Sequence, residues 1–498
     1  MLVKNGGPDV PLDEAVLFPF DKWSMPLRYR LKHGLVAATN PYRPHERVLQ
    51  SGDPKAPDGL GMHYYGTVIR IGDELRMWYG GDGDDGTVRG TRMCYAVSTD
   101  GINWEKPELG LVEFNGSSNN NLVQFDSEYS ANMGSILIVH DPEDPDPDRR
   151  FKLVNEVHPF LNIAAFSPDG LHWRESDHNP VLKHNAVEPG GLMKYGGCFY
   201  LSGQGGNVGT KRALVTYISY DFDHWIDAVA VGLRKDIPPY PAKPGPHAGE
   251  QVHLGASYWN RGNVILGVYG QWHGESNDRG FISMDLGLVV SHDALYFDEP
   301  VPDFTLISGY EILSTKRKDM VRAPKLDQGQ GFENIGDETL IWYWGWEADF
   351  ICVARWPRDR LGYFEVVADP KPNLLMPEDT HTLFWKRYKN LPIDQIDPHT
   401  VSCPIRIDSH ATTIAVNADG ICDDSFLRVE VLDEQCRPIV GLSGEAAATI
   451  HEPGLRQTAV WTGREAIDLA GQTIRIKVTW LGKRPEDTHL YALYLNEN

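Results

Sequence analysis

The chain of 498 residues carries 69 acidic against 47 basic residues, a formal net charge of −22, with 10% aromatic residues and 49 glycines. An acidic balance of this size lacks the basic face that nucleic acid or an anionic membrane surface requires, so no nucleic-acid and no membrane partner is expected. Cys94, Cys198, Cys352, Cys403, Cys422 and Cys436 follow no CxxC spacing, which suggests neither a zinc site nor a disulfide framework.

The first residues, Met1-Leu2-Val3-Lys4-Asn5, have no basic run followed by an apolar core, and no apolar stretch approaches the ~18 residues of a membrane helix. A cytoplasmic protein is therefore expected. Residues 1–55, rich in Pro and charge, are expected to wrap the domain that follows and to lend it a closing strand.

From residue 56 to 375 one pattern recurs: an apolar strand, a turn, a second strand, a long loop, and a third strand ending in a Ser-x-Asp turn with an aromatic behind it. The turns are Ser98-Thr99-Asp100-Gly101-Ile102-Asn103-Trp104, Ser167-Pro168-Asp169-Gly170-Leu171-His172-Trp173 and Ser219-Tyr220-Asp221-Phe222-Asp223-His224-Trp225. Ser291-His292-Asp293-Ala294-Leu295-Tyr296-Phe297 is a fourth, and the stretch around Asp359 is a degenerate fifth. Ser and Asp side chains can hold the turn backbone while the aromatic packs between neighbouring units. Repeats of this length, each with several strands, read as an all-β, five-bladed β-propeller. Residues 376–400 are predicted to be linker. Residues 401–498, with period-2 runs such as Thr473 to Trp480, are predicted to form a β-sandwich.

In a propeller, the starts of first strands and the ends of second strands gather on one rim. Those positions give Tyr64, Asn132, Glu188, His253 and Gln330 from the first strands, and Asp82, Glu156, Gln204 and His273 from the second, with Arg92, Arg212 and Asp285 from the third. Together with Trp272 they suit a carbohydrate, because amides, carboxylates and aromatic faces bind hydroxyls and sugar rings. Asp82 to Asp85 and Asp141 to Asp148 are oxygen-rich but lack EF-hand spacing, so no metal and no cofactor is expected.

The blade plan, the Trp78-Tyr79-Gly80-Gly81 strand end, the Ser-x-Asp-Gly turns and the trailing sandwich resemble the invertase, levansucrase and arabinanase group of glycoside hydrolases, the family 32-like and 43-like proteins. In those families the general acid is a Glu opening the third blade, close to a Pro. Val187-Glu188-Pro189-Gly190 matches that position, so the resemblance implies Glu188 as acid. The family's first-blade Asp has no counterpart in Met62-His63-Tyr64-Tyr65, and Asn132 stands where its second-blade Asp is expected.

Glycoside hydrolysis ordinarily uses two carboxylates. Asp285, lying in an apolar strand, and Glu250 are the leading partners for Glu188, with Glu156 behind them. His253 and His273 can bind hydroxyls or orient a carboxylate, and Arg322 can reach an acid group or phosphate. The expected activity is a glycoside hydrolase acting on a small glycoside or an oligosaccharide end. A phosphorylase on the same scaffold, and a carbohydrate-binding propeller without catalysis, are the alternatives. The oligomeric state is left open.

Overall fold

The computed structural model describes residues 1–38, 45–157, 161–182, 187–205, 211–235, 245–309, 324–346, 348–367 and 396–497. Apart from a few single-turn 3₁₀ segments, the regular structure among them is all β. The chain divides into two compact units, Ala37–Arg358 and Met1–Val36 with Asp359–Asn498.

The first unit consists of antiparallel meanders, of which the described residues form five. Module one holds Gly61–Ile71, Glu74–Asp84 and Arg89–Ser98. Module two holds Leu137–His140, Phe151–Val157, Leu161–Ser167 and His172–Glu175. Module three runs Glu188–Tyr195, Cys198–Gly205, Ala213–Ser219 and Ala230–Leu233. Module four runs Gly249–Asn260, Ile265–Gly274, Ile282–Ser291 and Thr305–Ile307. Module five runs Leu326–Ile335, Glu338–Gly345 and Phe350–Pro357. Its outermost strand is Glu46–Gln50, which precedes module one in sequence and pairs antiparallel with Phe350–Pro357. An early strand thus completes the last module and covers an edge that would otherwise be open.

The inner strands meet their neighbours through side-chain and backbone hydrogen bonds. Thr67 Oγ1 of module one donates to Ile136 O (2.8 Å) and accepts from Ile138 N (2.9 Å) in module two. Ser202 Oγ joins modules three and four by donating to Ala256 O at 2.6 Å, and Gln328 Nε2 joins modules five and four by donating to Gly255 O at 3.2 Å. Modules five and one pair in parallel at Gln330 and Thr67. Between modules three and four the backbones run so close that a Cβ on Gly190 would lie 1.5 Å from Leu254 O, so only glycine fits there.

The Ser-x-Asp turns tie the outer layer together. Ser98 Oγ accepts from Gly101 N (2.9 Å), Asp100 Oδ1 accepts from Ile102 N and Asn103 N (2.9 and 2.7 Å), and Trp104 Nε1 donates to Gly101 O (2.9 Å). Ser167, Asp169 and Trp173 repeat this geometry, and so do Ser219, Asp221 and Trp225. The carbonyl of the left-handed residue also receives an indole from the preceding module. Trp78 Nε1 donates to Gly170 O (2.7 Å) and Trp342 Nε1 to Gly101 O (2.8 Å). These aspartates are structural: burial pushes Asp100 up, but the backbone and side chain of Asn103, Ile102 N and the Ser98 hydroxyl hold it down at about 2.

The second unit is a two-sheet sandwich. One sheet contains Ser425–Asp433 and Thr473–Gly482, the other Thr412–Asp419 and His489–Glu497, and between them pack Trp461, Trp480, Val429, Ile476, Val416 and Leu493.

The units differ from the predicted boundaries. Leu2–Val3, Glu14–Leu17, Leu27–Tyr29 and Leu31–Leu35 are strands of the sandwich sheets, so the first 36 residues belong to that unit. Gly362–Val366, read as the tail of the fifth repeat, is also a sandwich strand. The first unit accordingly ends near Arg358, and most of the predicted linker lies outside the described residues.

Candidate active site

Four inner strands carry a register shift near their first residues: His63/Thr67, Pro189/Gly191, His253/Ala256 and Gln328/Phe332. A bulge bends its strand and re-aims the side chains beside it. Next to these irregularities lie Tyr65, Glu188, His253 and Asp327, and they face one another with Glu156 of module two. Side chains of all five modules therefore meet at one place.

Glu188 opens the inner strand of module three, half-buried, opposite Gln204, whose Nε2 donates to Glu188 Oε2 at 2.6 Å. The carboxyl of Glu156, on a strand buried throughout and itself 4% exposed, is pushed up to about 8 by burial and by the negative charge of Glu188. Two carboxyl groups that feel each other in a partly dry site do not both ionise at neutral pH, and the more buried one keeps the proton. Arg212 puts a positive charge near Glu188 from the third strand of the same module. Burial lowers its affinity for protons and Glu188 raises it.

Asp327 is fully buried, its Oδ1 3.0 Å from His253 Nδ1. The Tyr65 hydroxyl lies close to Asp327. Its acidity is suppressed first by burial and then by the charges of Asp327, Glu188 and Glu156. Tyr65 also packs edge-on against Trp344 (5.6 Å between ring centres) and beside His63 (5.5 Å). On the opposite side His253 stacks with Trp272 at 5.7 Å, and the Arg212 guanidinium lies 4.0 Å above the same indole. The result is a three-carboxylate site with aromatic walls.

Several candidates stand elsewhere. Tyr64 is 0% exposed, its ring pressed against Gly329 and Gly331, because alternation along the strand turns it away from its neighbour Tyr65. Gln330 is a strut: its Nε2 donates to Ile138 O (2.9 Å) and its Oε1 accepts from Leu192 N (2.5 Å), tying modules two, three and five. Asn132 lies ahead of its inner strand, in a bridge with Thr91, because that strand begins only at Leu137. Trp272 is 2% exposed and covered by Arg212, so it supports the site and offers no open platform.

Asp285 and Glu250 share one histidine partner. Both bind His273, at 3.4 Å to Nε2 and 2.6 Å to Nδ1, and Asp285 Oδ1 further accepts from Gly309 N at 2.5 Å. Hydrogen bonds from Asp285 and Glu250 raise His273 to about 9, and despite burial His273 and Gly309 hold Asp285 below its ordinary range. This is a histidine-bridged ion cluster. Arg322 lies outside the described residues.

Asp327, Tyr65, His63 and Trp344 are the residues that sequence reasoning missed. The run Gln328-Gly329-Gln330-Gly331 broke the strand periodicity and moved the predicted strand start three residues past Asp327. The acidic loop from Asp141 to Asp148 is held by lysines, with Lys152 Nζ 3.2 and 2.7 Å from Asp141 and Asp144, and Lys194 Nζ 2.7 Å from Asp141. Among the described residues no group of His, Cys, Asp and Glu has the arrangement of a metal site. No helix is long and apolar enough to cross a membrane.

No family model and no curated protein matches the sequence. Solved structures of similar fold include a glycosyl hydrolase from Bacteroides ovatus, 14% identical over 66% of this chain and 94% of that one, at a TM-score of 0.43. Another comes from work on the GH130 family of mannoside phosphorylases and the glycoside hydrolases within it, 13% identical over 67% of this chain and 97% of that one, TM-score 0.44. A third, named glycoside hydrolase, covers 89% of this chain and 99% of its own, at 10% identity and a TM-score of 0.37. What this site can do is decided by its own side chains.

Proposed function

We propose that the first unit is a glycosidase whose pocket lies where the inner strands meet, and that Glu156 and Glu188 are its acid–base pair. The observation that carries this is the coupling of the two carboxyls. Burial and the charge of Glu188 lift Glu156 to about 8, within reach of a neutral operating pH. Glu156 then holds the proton that a departing glycosidic oxygen needs. Glu188, hydrogen-bonded by Gln204 and facing Arg212, acts on the anomeric carbon or on a water beside it. This reverses the expectation that Glu188 is the acid.

Asp327 and Tyr65 support the reaction from modules five and one. A buried carboxylate next to the developing positive charge of an oxocarbenium-like transition state stabilises it, and Tyr65 lies beside that carboxylate. The aromatic walls of Trp344, His63 and Tyr65 suit the apolar face of a sugar ring. Small glycosides or chain ends are the substrates that fit, and the familial labels 32 and 43 enter only as a resemblance of plan.

The test is a panel of aryl furanosides and pyranosides offered to the native protein, Glu156→Gln and Glu188→Gln. Cleavage by the native protein that falls by at least a hundredfold in both variants supports the pair. Equal cleavage by all three proteins overturns it. Sugar binding without cleavage by any of them favours a carbohydrate-binding role.

A further inference from the structure

Beside the carboxylates the structure builds a cluster of the opposite sign. Arg212 lies over Trp272, and among the described residues its guanidinium has no carboxylate within 4.0 Å; its Nε is buried without a hydrogen-bond partner. The ring of His247 is 6.0 Å from that of Trp272, and its Nδ1 is likewise buried and unpartnered. Burial, then Arg212, Arg279 and Lys211, press His247 toward its neutral form. Arg279 is exposed, 5.3 Å above the ring of Trp346, while Lys325 lies 5.0 Å above the same ring.

These positions are fixed by polar contacts. Lys211 Nζ donates to Gly245 O at 2.7 Å and also to Ala248 O. Gln251 Oε1 accepts from Arg212 N (3.0 Å) while its Nε2 donates to Pro246 O (3.0 Å), so the segment carrying His247 is locked to Arg212. Asn277 Oδ1 accepts from His247 N at 3.0 Å and brings the turn bearing Arg279 alongside. A buried guanidinium N–H left without an acceptor destabilises the fold unless a ligand supplies one. Among the described residues the acid whose charge acts on Arg212 is Glu188, which lies beyond ion-pair distance.

We propose that the ligand of this site carries an oxyanion and that Arg212, with Arg279 and His247, receives it next to Glu188. The inference rests on the reading of the same site as a glycosidase and adds its substrate class. The oxyanion has two possible sources of one chemistry: a carboxylate on an acidic sugar, or inorganic phosphate as co-substrate. In the second case phosphate takes the glycosyl group, the anomeric carbon–oxygen bond breaks, the leaving oxygen takes the proton of Glu156, and a sugar phosphate forms.

Titration calorimetry of the full chain with inorganic phosphate, glucuronate, galacturonate, glucose and galactose tests it. Expected is saturable binding of at least one oxyanion probe, at least tenfold tighter than the neutral sugars. It should weaken at least tenfold in Arg212→Gln and measurably in Arg279→Ala, whose exposed side chain leaves folding untouched. Glu156→Gln, which keeps every cation, should bind the anion as well or better. Retained anion binding with no cleavage of any glycoside would therefore unseat the catalytic pair alone. Phosphate binding with phosphate-dependent release of sugar phosphate assigns the second source, and uronate binding without phosphate binding assigns the first. Oxyanions that bind no better than neutral sugars, or equally to native protein and Arg212→Gln, overturn the proposal.

Discussion

Two acid clusters of the first unit, built from the same residue types, behave in opposite ways. Glu250 and Asp285 each lie within ion-pair distance of His273, which offsets part of their charge. Glu156 instead feels the negative charge of Glu188, and the Arg212 guanidinium near Glu188 lies above an indole. The first arrangement lowers a carboxyl and the second raises one. Carboxylates are set to work by what their neighbours leave unbalanced.

The largest expected consequence is kinetic. Glu156→Gln should reduce turnover about a thousandfold, as loss of a general acid does, and the native rate should fall on the alkaline side as Glu156 loses its proton near pH 8. Steady-state rates across pH 5 to 10 check both. Asp285→Asn and Glu250→Gln should leave turnover within about threefold, because they touch His273 and not the pair.

Stability should move the other way. A carboxyl whose folded value is raised weakens the fold as pH climbs from its ordinary value toward about 8, and below that range the penalty is absent. Glu156→Gln is expected to be more stable than the native protein by about 4 kcal/mol at pH 8 and equal near pH 4, measurable by urea unfolding at the two pH values. Gln330→Leu should cost about 2 kcal/mol, since it leaves Leu192 N and Ile138 O without their buried partner, and should leave KM unchanged for any substrate found.

The smallest effect belongs to the histidine-bridged cluster. Asp285→Asn should cost about 1 kcal/mol at pH 7. His273 has a raised folded value, so its contribution is complete below its ordinary value and fades as pH passes about 9. Thermal midpoints of the two proteins should converge above that pH.

Much of the plan was legible because its signals are local. Ser98, Asp100 and Trp104 recur with their spacing intact, and the strands at 188–195, 198–205 and 338–345 are short, mostly buried runs bounded by turns. Glu188 was legible from its place at a strand start next to Pro189. Tyr65 and Asp327 were not, because bulges shift which of two adjacent residues faces inward. The fate of Asp285 was hidden for a different reason. An acid in an apolar strand signals a partner or a task, and His273, the partner, is set only by strand register. The membership of the first 36 residues was also unreadable, since pairing across the chain leaves no mark within a short, irregular segment.

The central claim, a proton shared within the Glu156–Glu188 pair and held by Glu156, can be tested without a substrate. Difference infrared spectroscopy across pH 5 to 10 should find a protonated carboxyl band that disappears near pH 8 in the native protein. It should be missing in Glu156→Gln and shifted to lower pH in Glu188→Gln, where the repelling charge is gone. A native protein with no carboxyl titrating above pH 6, or a band that Glu156→Gln leaves in place, would contradict the account.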